Sequence, residues 1–444
     1  MSMYRNFFLS TRFFLVAGIL ILACMASYVL PLFFPVAKLA IVVFAVAVLA
    51  DALVVFNPAV KVLGKRTMAP VLSLGDENPV TLTLTNASAL YLSVIAIDEM
   101  PKELQLRNTQ HTLTLKSKET REIAYTIRPT VRGLYNFGSV MVFIHTRLGL
   151  VKRRIEAQAS GNMAVYPSII QMKKYELKMF IKTAREFGVK KVRRIGHSYE
   201  FEHIKPYTRG DDYRSINWKA TGRTAQLMVN QYEDEKSQQV YCLIDKSRVM
   251  HMPFEGMSLF DYAVNASLVI SNIVLAKQDK AGLITFAERT KSVLKAERSK
   301  VQLKKILENL YNEEEKPVEA NYENLYLTVN KYVKGRSLLL LYTNFESTYA
   351  LQRVLPQLQK LNAHHLLVVV FFENTEVSQY TRNNKVENLE DVYTHILAED
   401  YTLTKVQLAQ TLRQMGIHCM LTKPENLTVN SINKYLELKA RGMI

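Results

Sequence analysis

Cysteine is scarce in this chain of 444 residues, with three, Cys24, Cys242 and Cys419. They form no disulfide framework, no zinc-type Cys/His spacing and no redox pair, and Cys24 lies inside a hydrophobic run. That excludes the disulfide-stapled and zinc-ribbon classes and fits a body in a reducing cytosol. Tryptophan is scarcer still, with Trp218 alone. No internal repeat or low-complexity segment interrupts the chain. Hydrophobic residues make up 48% of it, enough to bury cores and too many for a disordered tail. The length allows two or three domains.

Charge is absent from one stretch near the start and sparse in a second. Phe13 to Leu30 holds none; Pro31 and Pro35 then break the run, and Val36 to Phe56 is apolar apart from Lys38 and Asp51. Each is close to the roughly 20 residues a helix needs to cross about 30 Å of hydrocarbon. A signal peptide is the alternative for the first run, but no small-residue cleavage site follows and a second run comes at once. Residues 1–66 are therefore read as a transmembrane hairpin with spans about 13–30 and 36–56. Arg5 and Arg12 precede it, Lys61, Lys65 and Arg66 follow it, and the tight turn offers only Lys38. Positive flanks stay inside, which places both chain ends and the body in the cytosol.

The next hundred residues read as strands. Val80 to Thr85 alternates apolar and polar, as do Thr112 to Lys116 and Ile123 to Ile127, with Asn86, Gly133 and Gly138 at turn positions. The pattern predicts a small antiparallel β-sandwich over residues 67–167. Residues 168–238 form a connector: a basic amphipathic helix from Ser168 to about Arg185, then loop-rich chain to Asn230. From Gln239 strands and helices alternate. Strands are expected at 240–244, 281–286, 337–342, 366–372 and 417–421, with an edge strand at 290–294, and helices at 259–277, 300–311 and 322–333. Uninterrupted apolar strands are buried on both faces, so residues 239–444 are read as a doubly wound α/β domain.

The net charge of +17 is uneven. Between Arg147 and Arg194 thirteen Lys or Arg face three Glu, leaving +10 in that stretch. Lys173, Lys174, Lys190, Lys191, Arg193 and Arg194 are candidates to face an anionic leaflet, where each cation contributes about 1 kcal/mol; a solvated surface is the plainer reading. Nucleic-acid binding is a further alternative, but no binding fold or interleaved stacking aromatics supports it.

In a doubly wound sheet ligands bind beyond the carboxyl ends of the strands, which brings Asp245, Lys246 and Ser247 forward. Asp245-Lys-Ser247-Arg-Val249 resembles the Asp-x-Ser-x-Ser opening of a von Willebrand factor A metal site, where a carboxylate and two hydroxyls offer hard oxygens to magnesium. Asp245 and Ser247 are the candidate ligands. Val249 supplies no donor, Tyr322-Glu-Asn324 lacks the Thr of that family, and Asn344 stands where its Asp would be. Turn and helix-capping roles are the alternative for Asp245 and Ser247.

The most specific stretch runs from Tyr207 to Arg223. Its Gly210-Asp211-Asp212 is turn chemistry, Arg214 is spaced to pair with a nearby carboxylate, and Trp218 is expected to anchor the segment on a core through its apolar area. No nucleophile with its own base is visible. On residues alone the segment is a rigid clasp between domains.

Gly210, Asp211, Arg214, Ile216, Trp218, Arg223 and Glu235 together resemble the signature of the bacterial domain of unknown function 58. Arg128-Pro-Thr-Val-Arg132-Gly133-Leu-Tyr135, Leu148-Gly149-Leu150 and Val165-Tyr166-Pro167 match its layout upstream, while Lys205 stands where an Arg is common. The resemblance spans essentially the whole chain. It implies a multi-pass protein of the inner (cytoplasmic) membrane with a von Willebrand A-like domain and no established catalytic activity. Such proteins commonly occur beside MoxR-type AAA+ ATPases and other von Willebrand A proteins. The expectation is a non-enzymatic scaffold docking such an ATPase at a rim of Asp245, Ser247, Thr285 and Asn344. A metal-dependent hydrolase at that rim, using magnesium, and a membrane-tethered nucleic-acid binder are the competing classes.

Overall fold

The structure is a computed structural model and describes residues 6–29, 33–106, 109–158, 160–186, 200–208, 211–224, 226–233, 237–377, 380 and 388–444. The chain divides into two compact units, Met1–Ile169 and Ile170–Ile444.

The first unit opens with strand β1 (Phe7–Leu9) and two helices, α1 (Thr11–Val29) and α2 (Phe34–Val55). Among the described residues three helices have the length and hydropathy to cross a membrane, and burial separates them. The helix Leu259–Ala276 is 83% buried, so its apolar surface is spent on a protein core. The spans in α1 and α2 are only 6% and 11% buried. These two are apolar, open to their surroundings, and long enough to span the hydrocarbon of a membrane.

Ten further strands follow: β2 (Val62–Met68), β3 (Leu72–Ser73), β4 (Asn78–Asn86), β5 (Leu92–Asp98), β6 (Gln110–Leu115), β7 (Thr120–Ile127), β8 (Gly133–Phe137), β9 (Val140–His145), β10 (Val151–Gln158) and β11 (Gly161–Tyr166). They form sheets of order β1-β10-β9-β5-β6, β2-β4-β7 and β3-β11-β8. All pairings are antiparallel except β3 with β11. The alternation in β4 buries Val80, Leu82 and Leu84 and turns the threonines outward; Leu82 and Leu84 share a core with Val94 of β5 and Val140 and Val142 of β9. Strand structure starts earlier than residue 67, with β2 at Val62 and β1 ahead of α1.

The helices are wired into this β structure. Asp51, the one carboxylate in the second apolar run, is 1% exposed. Its Oδ2 accepts the backbone N–H groups of Leu150 and Val151, each at 2.9 Å, and its Oδ1 accepts the Thr146 hydroxyl. From the other helix, Arg12 Nη1 donates to the Arg147 carbonyl at 3.1 Å, and the N–H of Ser10 donates to the Leu150 carbonyl at 3.0 Å. Gly149, at φ +64°, makes the turn that receives both helices. A side chain at that position is disfavoured in a left-handed backbone. Arg153 donates to the Val55 carbonyl at 3.2 Å and lies over the Phe56 ring, satisfying an orphan carbonyl at the end of α2.

Deeper in the unit, Arg66 is buried against Asp98. Its Nε donates to Oδ2 at 3.0 Å, Nη2 donates to Oδ1 and to the Gly138 carbonyl, and Tyr125 donates to Oδ2 as well. In the folded unit the Arg66 charge is thus spent on an internal ion pair.

The second unit begins with α3 (Ile169–Glu186), which crosses the boundary by one residue. Met172 and Tyr175 pack on the unit's core and Glu176 accepts from Asn272 at 3.2 Å. The stretch expected to be loops contains a two-stranded ribbon, β12 (Glu200–Pro206) with β13 (Met228–Glu233), and a short helix α4 (Trp218–Thr224) between them.

The body is a six-stranded sheet: β14 (Gln239–Asp245), a two-strand hairpin β15 (Pro253–Phe254) and β16 (Met257–Ser258) outside it, α5 (Leu259–Ala276), β17 (Lys280–Phe286), β18 (Ser292–Glu297), α6 (Lys300–Asn312), α7 (Tyr322–Tyr332), β19 (Leu338–Tyr342), α8 (Thr348–His364), β20 (Leu366–Phe372), α9 (Leu389–Gln414), β21 (His418–Thr422) and α10 (Leu427–Ala440). The sheet order is β18-β17-β14-β19-β20-β21, with β18 alone antiparallel. One face packs on α5, α6 and α10, the other on α7, α8 and α9. Gly282 in β17 is needed because the Tyr241 ring fills the place a Cβ would take. After β14 the chain builds outward to β17 and β18, then crosses to β19 on the other side of β14. The order reverses there, and in open α/β sheets that is where a crevice forms.

Candidate functional site

The carboxyl ends of β14 and β19 bring Asp245 and Thr343 together at that reversal. Asp245 is fully buried. Its Oδ1 accepts the N–H of Ser247 at 2.9 Å, closing the turn out of β14. Its Oδ2 accepts the Thr343 hydroxyl at 2.7 Å, and the Tyr322 hydroxyl lies 2.7 Å from Thr343 Oγ1 and 3.4 Å from Asp245 Oδ2. Burial raises the Asp245 carboxyl above the usual carboxylate range, against the opposing pull of these donors. The Tyr322 hydroxyl is pushed well above its ordinary value by burial and by the neighbouring Asp245.

A cavity of about 350 Å³ opens above this network, lined by Asp245, Ser247, Tyr322 and Asn344 at its base and by Tyr349, Glu319 and Arg353 toward its mouth. Tyr349 is 81% exposed, and Arg353 pairs with Glu319 at 3.0 Å on the surface.

The four residues expected at the rim meet different fates. Asp245, Ser247 and Asn344 line the cavity, but Thr285 does not: it is buried and donates to Glu313 Oε1 at 2.9 Å, and Glu313 also holds buried Lys246. Thr285 is a core residue because the pleat of β17 turns it away from the mouth. Asn344 spends both ends of its amide inside the fold, donating to the Val249 carbonyl at 3.3 Å and accepting the Lys405 ammonium at 2.6 Å. Lys405 donates also to the Phe345 carbonyl, and burial pushes its amine down to about 8. Ser247 stands at the N-cap position of a single 3-10 turn without a side-chain cap bond, and its buried Oγ has no partner among the described residues.

Magnesium takes about six oxygen ligands, and these residues offer few: Val249 has no donor and Asn344 Oδ1 accepts an ammonium, which leaves the Asp245 oxygens, each already accepting a hydrogen bond, and the Ser247 hydroxyl. Among the described residues no three His, Cys, Asp or Glu side chains converge to hold a metal.

In the signature segment, Gly210 and Glu235 lie outside the described residues, as do Lys190, Lys191, Arg193 and Arg194 of the basic stretch. Lys173 and Lys174 are exposed on α3. Asp211 pairs with Lys205 at 2.8 Å and accepts the N–H and hydroxyl of Thr208; these partners, Lys205 first, hold its carboxyl down at about 2. Asp212 accepts the Arg214 backbone N–H at 3.0 Å, while the Arg214 guanidinium lies over the Tyr213 ring. Ile216 bridges to Val229 of β13, and Arg223 lies exposed in the last turn of α4. Trp218 overturns the expectation of a core anchor: it is 71% exposed. Helix α4 is one seven-residue stretch with no buried residue, so it has no face to bury an indole against.

Local sequence does not mark Tyr322, Thr343 and Lys405 as members of the rim. Tyr322 stands where a Thr is expected and supplies its hydroxyl from a longer arm; nothing local marks Lys405, which reaches the site from α9.

A family profile described as "Protein of unknown function DUF58" matches residues 203–378, from the ribbon through β20. Among curated proteins, "Uncharacterized protein YeaD" of Bacillus subtilis (strain 168) is 24% identical over 225 residues, 49% of this chain and 54% of that protein. The chain thus spans about half the length of that relative. Among solved structures, the conserved hypothetical protein BatB from Bacteroides thetaiotaomicron is 13% identical, covering 46% of this chain and 99% of that one at a TM-score of 0.31. The CARDB domain of the PF1109 protein from Pyrococcus furiosus is 13% identical over 24% of this chain and 93% of that one, with a TM-score of 0.19. No shared architecture follows from scores this low.

Proposed function

We propose that this protein is a membrane-anchored, non-enzymatic scaffold or adaptor whose α/β body, von Willebrand A-like in character, docks a cytosolic partner at the carboxyl-end rim. A MoxR-type AAA+ ATPase is the proposed partner, and assembly or remodelling of membrane or envelope complexes the proposed task. The location is the inner membrane, multi-pass, with the body in the cytosol; the flanking charges Arg5, Arg12, Lys61 and Lys65 support that orientation.

One observation carries the reading. Apart from the unpartnered Ser247 hydroxyl, the polar floor of the rim cavity is committed to internal hydrogen bonds through Asp245, Thr343 and Asn344, while its mouth offers an exposed Tyr349 and an open Glu319–Arg353 pair. A floor so largely spent, under an aromatic and arginine lip, suits protein recognition, where Tyr and Arg dominate binding energy, better than a reacting centre.

The test is affinity capture from detergent extracts with wild type, Tyr349→Ala and Arg353→Glu. Recovery of an AAA+ ATPase by wild type, cut at least tenfold in the variants, is the expected result; repeated recovery of none removes the partner. Stoichiometric divalent metal in the purified protein, lost in Asp245→Ala, would instead favour the hydrolase class.

A further inference from the structure

We infer that the segment between β12 and β13 is a lipid-docking surface that seats Trp218, Tyr213 and Leu227 among the headgroups of an anionic bilayer. The inference rests on the membrane anchoring proposed above and is independent of the partner at the rim.

The described residues of the segment are held by hydrogen bonds. Its two ends are joined by the ribbon, by Tyr207 N–H to the Leu227 carbonyl at 2.8 Å and by Asn217 N–H to the Met228 carbonyl at 2.8 Å. Asn217 also caps α4 through the Ala220 N–H. On this ordered frame the apolar side chains point out: Trp218 is 71% exposed, Tyr213 69% and Leu227 47%. Holding the single tryptophan of the chain in water on a bonded scaffold forgoes a large burial gain, so something other than this unit's core covers it.

The surrounding charge identifies the cover. Arg214, Lys219 and Arg223 are exposed around the rings. Of the carboxylates nearby, Asp211 is paired with Lys205, and Asp212, which accepts the Arg214 N–H and keeps its charge, stands alone against Arg214, Lys219 and Arg223, so cations prevail. Indole and phenol rings, apolar in body and polar at the edge, settle at the headgroup level, and Lys and Arg stems run beside them to reach phosphates. A chain already tethered by α1 and α2 meets that surface at high effective concentration, so each cation adds to docking without first having to bring the protein to the membrane.

Trp218 being the only tryptophan makes the test direct. The full chain is reconstituted in nanodiscs of phosphatidylcholine alone or with a third phosphatidylglycerol, and its emission is quenched by brominated lipids or by aqueous acrylamide. Resistance of the vesicle-reconstituted chain to alkaline carbonate extraction tests the anchor separately. The expected result is bromolipid quenching that rises with phosphatidylglycerol, falls in high salt, and is accompanied by protection from acrylamide. Arg214→Gln, Lys219→Gln and Arg223→Gln should each lower the docked-to-free ratio about fivefold. An anchored chain whose Trp218 is unquenched by lipid, or quenched equally in both bilayers, overturns the inference. Shielding from both quenchers overturns it too, by assigning the surface to a protein contact.

Discussion

Asp51 is the residue on which the coupling between helix α2 and the β structure turns, and its removal has a calculable effect. Two backbone N–H groups, of Leu150 and Val151, donate to its Oδ2 at 2.9 Å inside a buried site. A hydrogen bond to a charged group contributes about 1.5–3 kcal/mol, so the pair amounts to roughly 3–6 kcal/mol. Asp51→Ala leaves both N–H groups buried and unpaired, and the Thr146 hydroxyl loses its acceptor. Taking the lower end, opening of the turn from Thr146 to Val151 becomes about 3 kcal/mol easier, which is on the order of a hundredfold in its equilibrium. Hydrogen–deuterium exchange of the full chain in nanodiscs, followed on peptides covering this turn, should show the Leu150 and Val151 amides exchanging about a hundred times faster. Amides in the middle of β9, which depend on sheet pairing, should change little. Asp51→Asn keeps one acceptor oxygen and should fall between. If Asp51→Ala left those two amides within threefold of wild type, the carboxylate would not be what holds the turn to the helix.

Two further outcomes are expected. Asp98→Ala strips the buried Arg66 guanidinium of its carboxylate, a change that costs about 3–5 kcal/mol; calorimetry should find the first unit melting on the order of 10 °C lower, with Tyr125→Phe much milder, and equal melting would contradict the network. Lys405 is held down at about 8 from 10.5, so the unfolded chain binds more protons across that window and the penalty of burying the ammonium is full below it. Stability of wild type relative to Lys405→Met should therefore rise from pH 8 to 10.5 in denaturant titrations, and a flat difference would show that the amine is not depressed.

Much of the architecture was legible because burial writes itself into local pattern. Run length and lack of charge marked α1 and α2. Strict alternation marked β4, since the pleat sends successive side chains to opposite faces. The apolar strands ending in Asp245 and Tyr342 announced a sheet covered on both faces. The same cues mislead where composition and context part. Leu259–Ala276 is long and apolar enough to be a membrane span, and only its neighbours make it a core helix. Trp218 is large and apolar, and only the shortness of α4 leaves it outside.

The sequence by itself determined most of the strands and helices of the β region and the α/β body, the two apolar spans, and the placing of Asp245 at the end of a central strand, because each depends on residues a few positions apart. The tertiary structure alone decided which polar groups are spent inside the fold. Asp51 meets Leu150, Thr343 meets Asp245, and Lys405 meets Asn344 across about 60 to 100 residues of chain. Such pairs are selected by chain closure and by the cost of leaving a buried donor unpaired, and neither quantity is written in any short stretch of sequence.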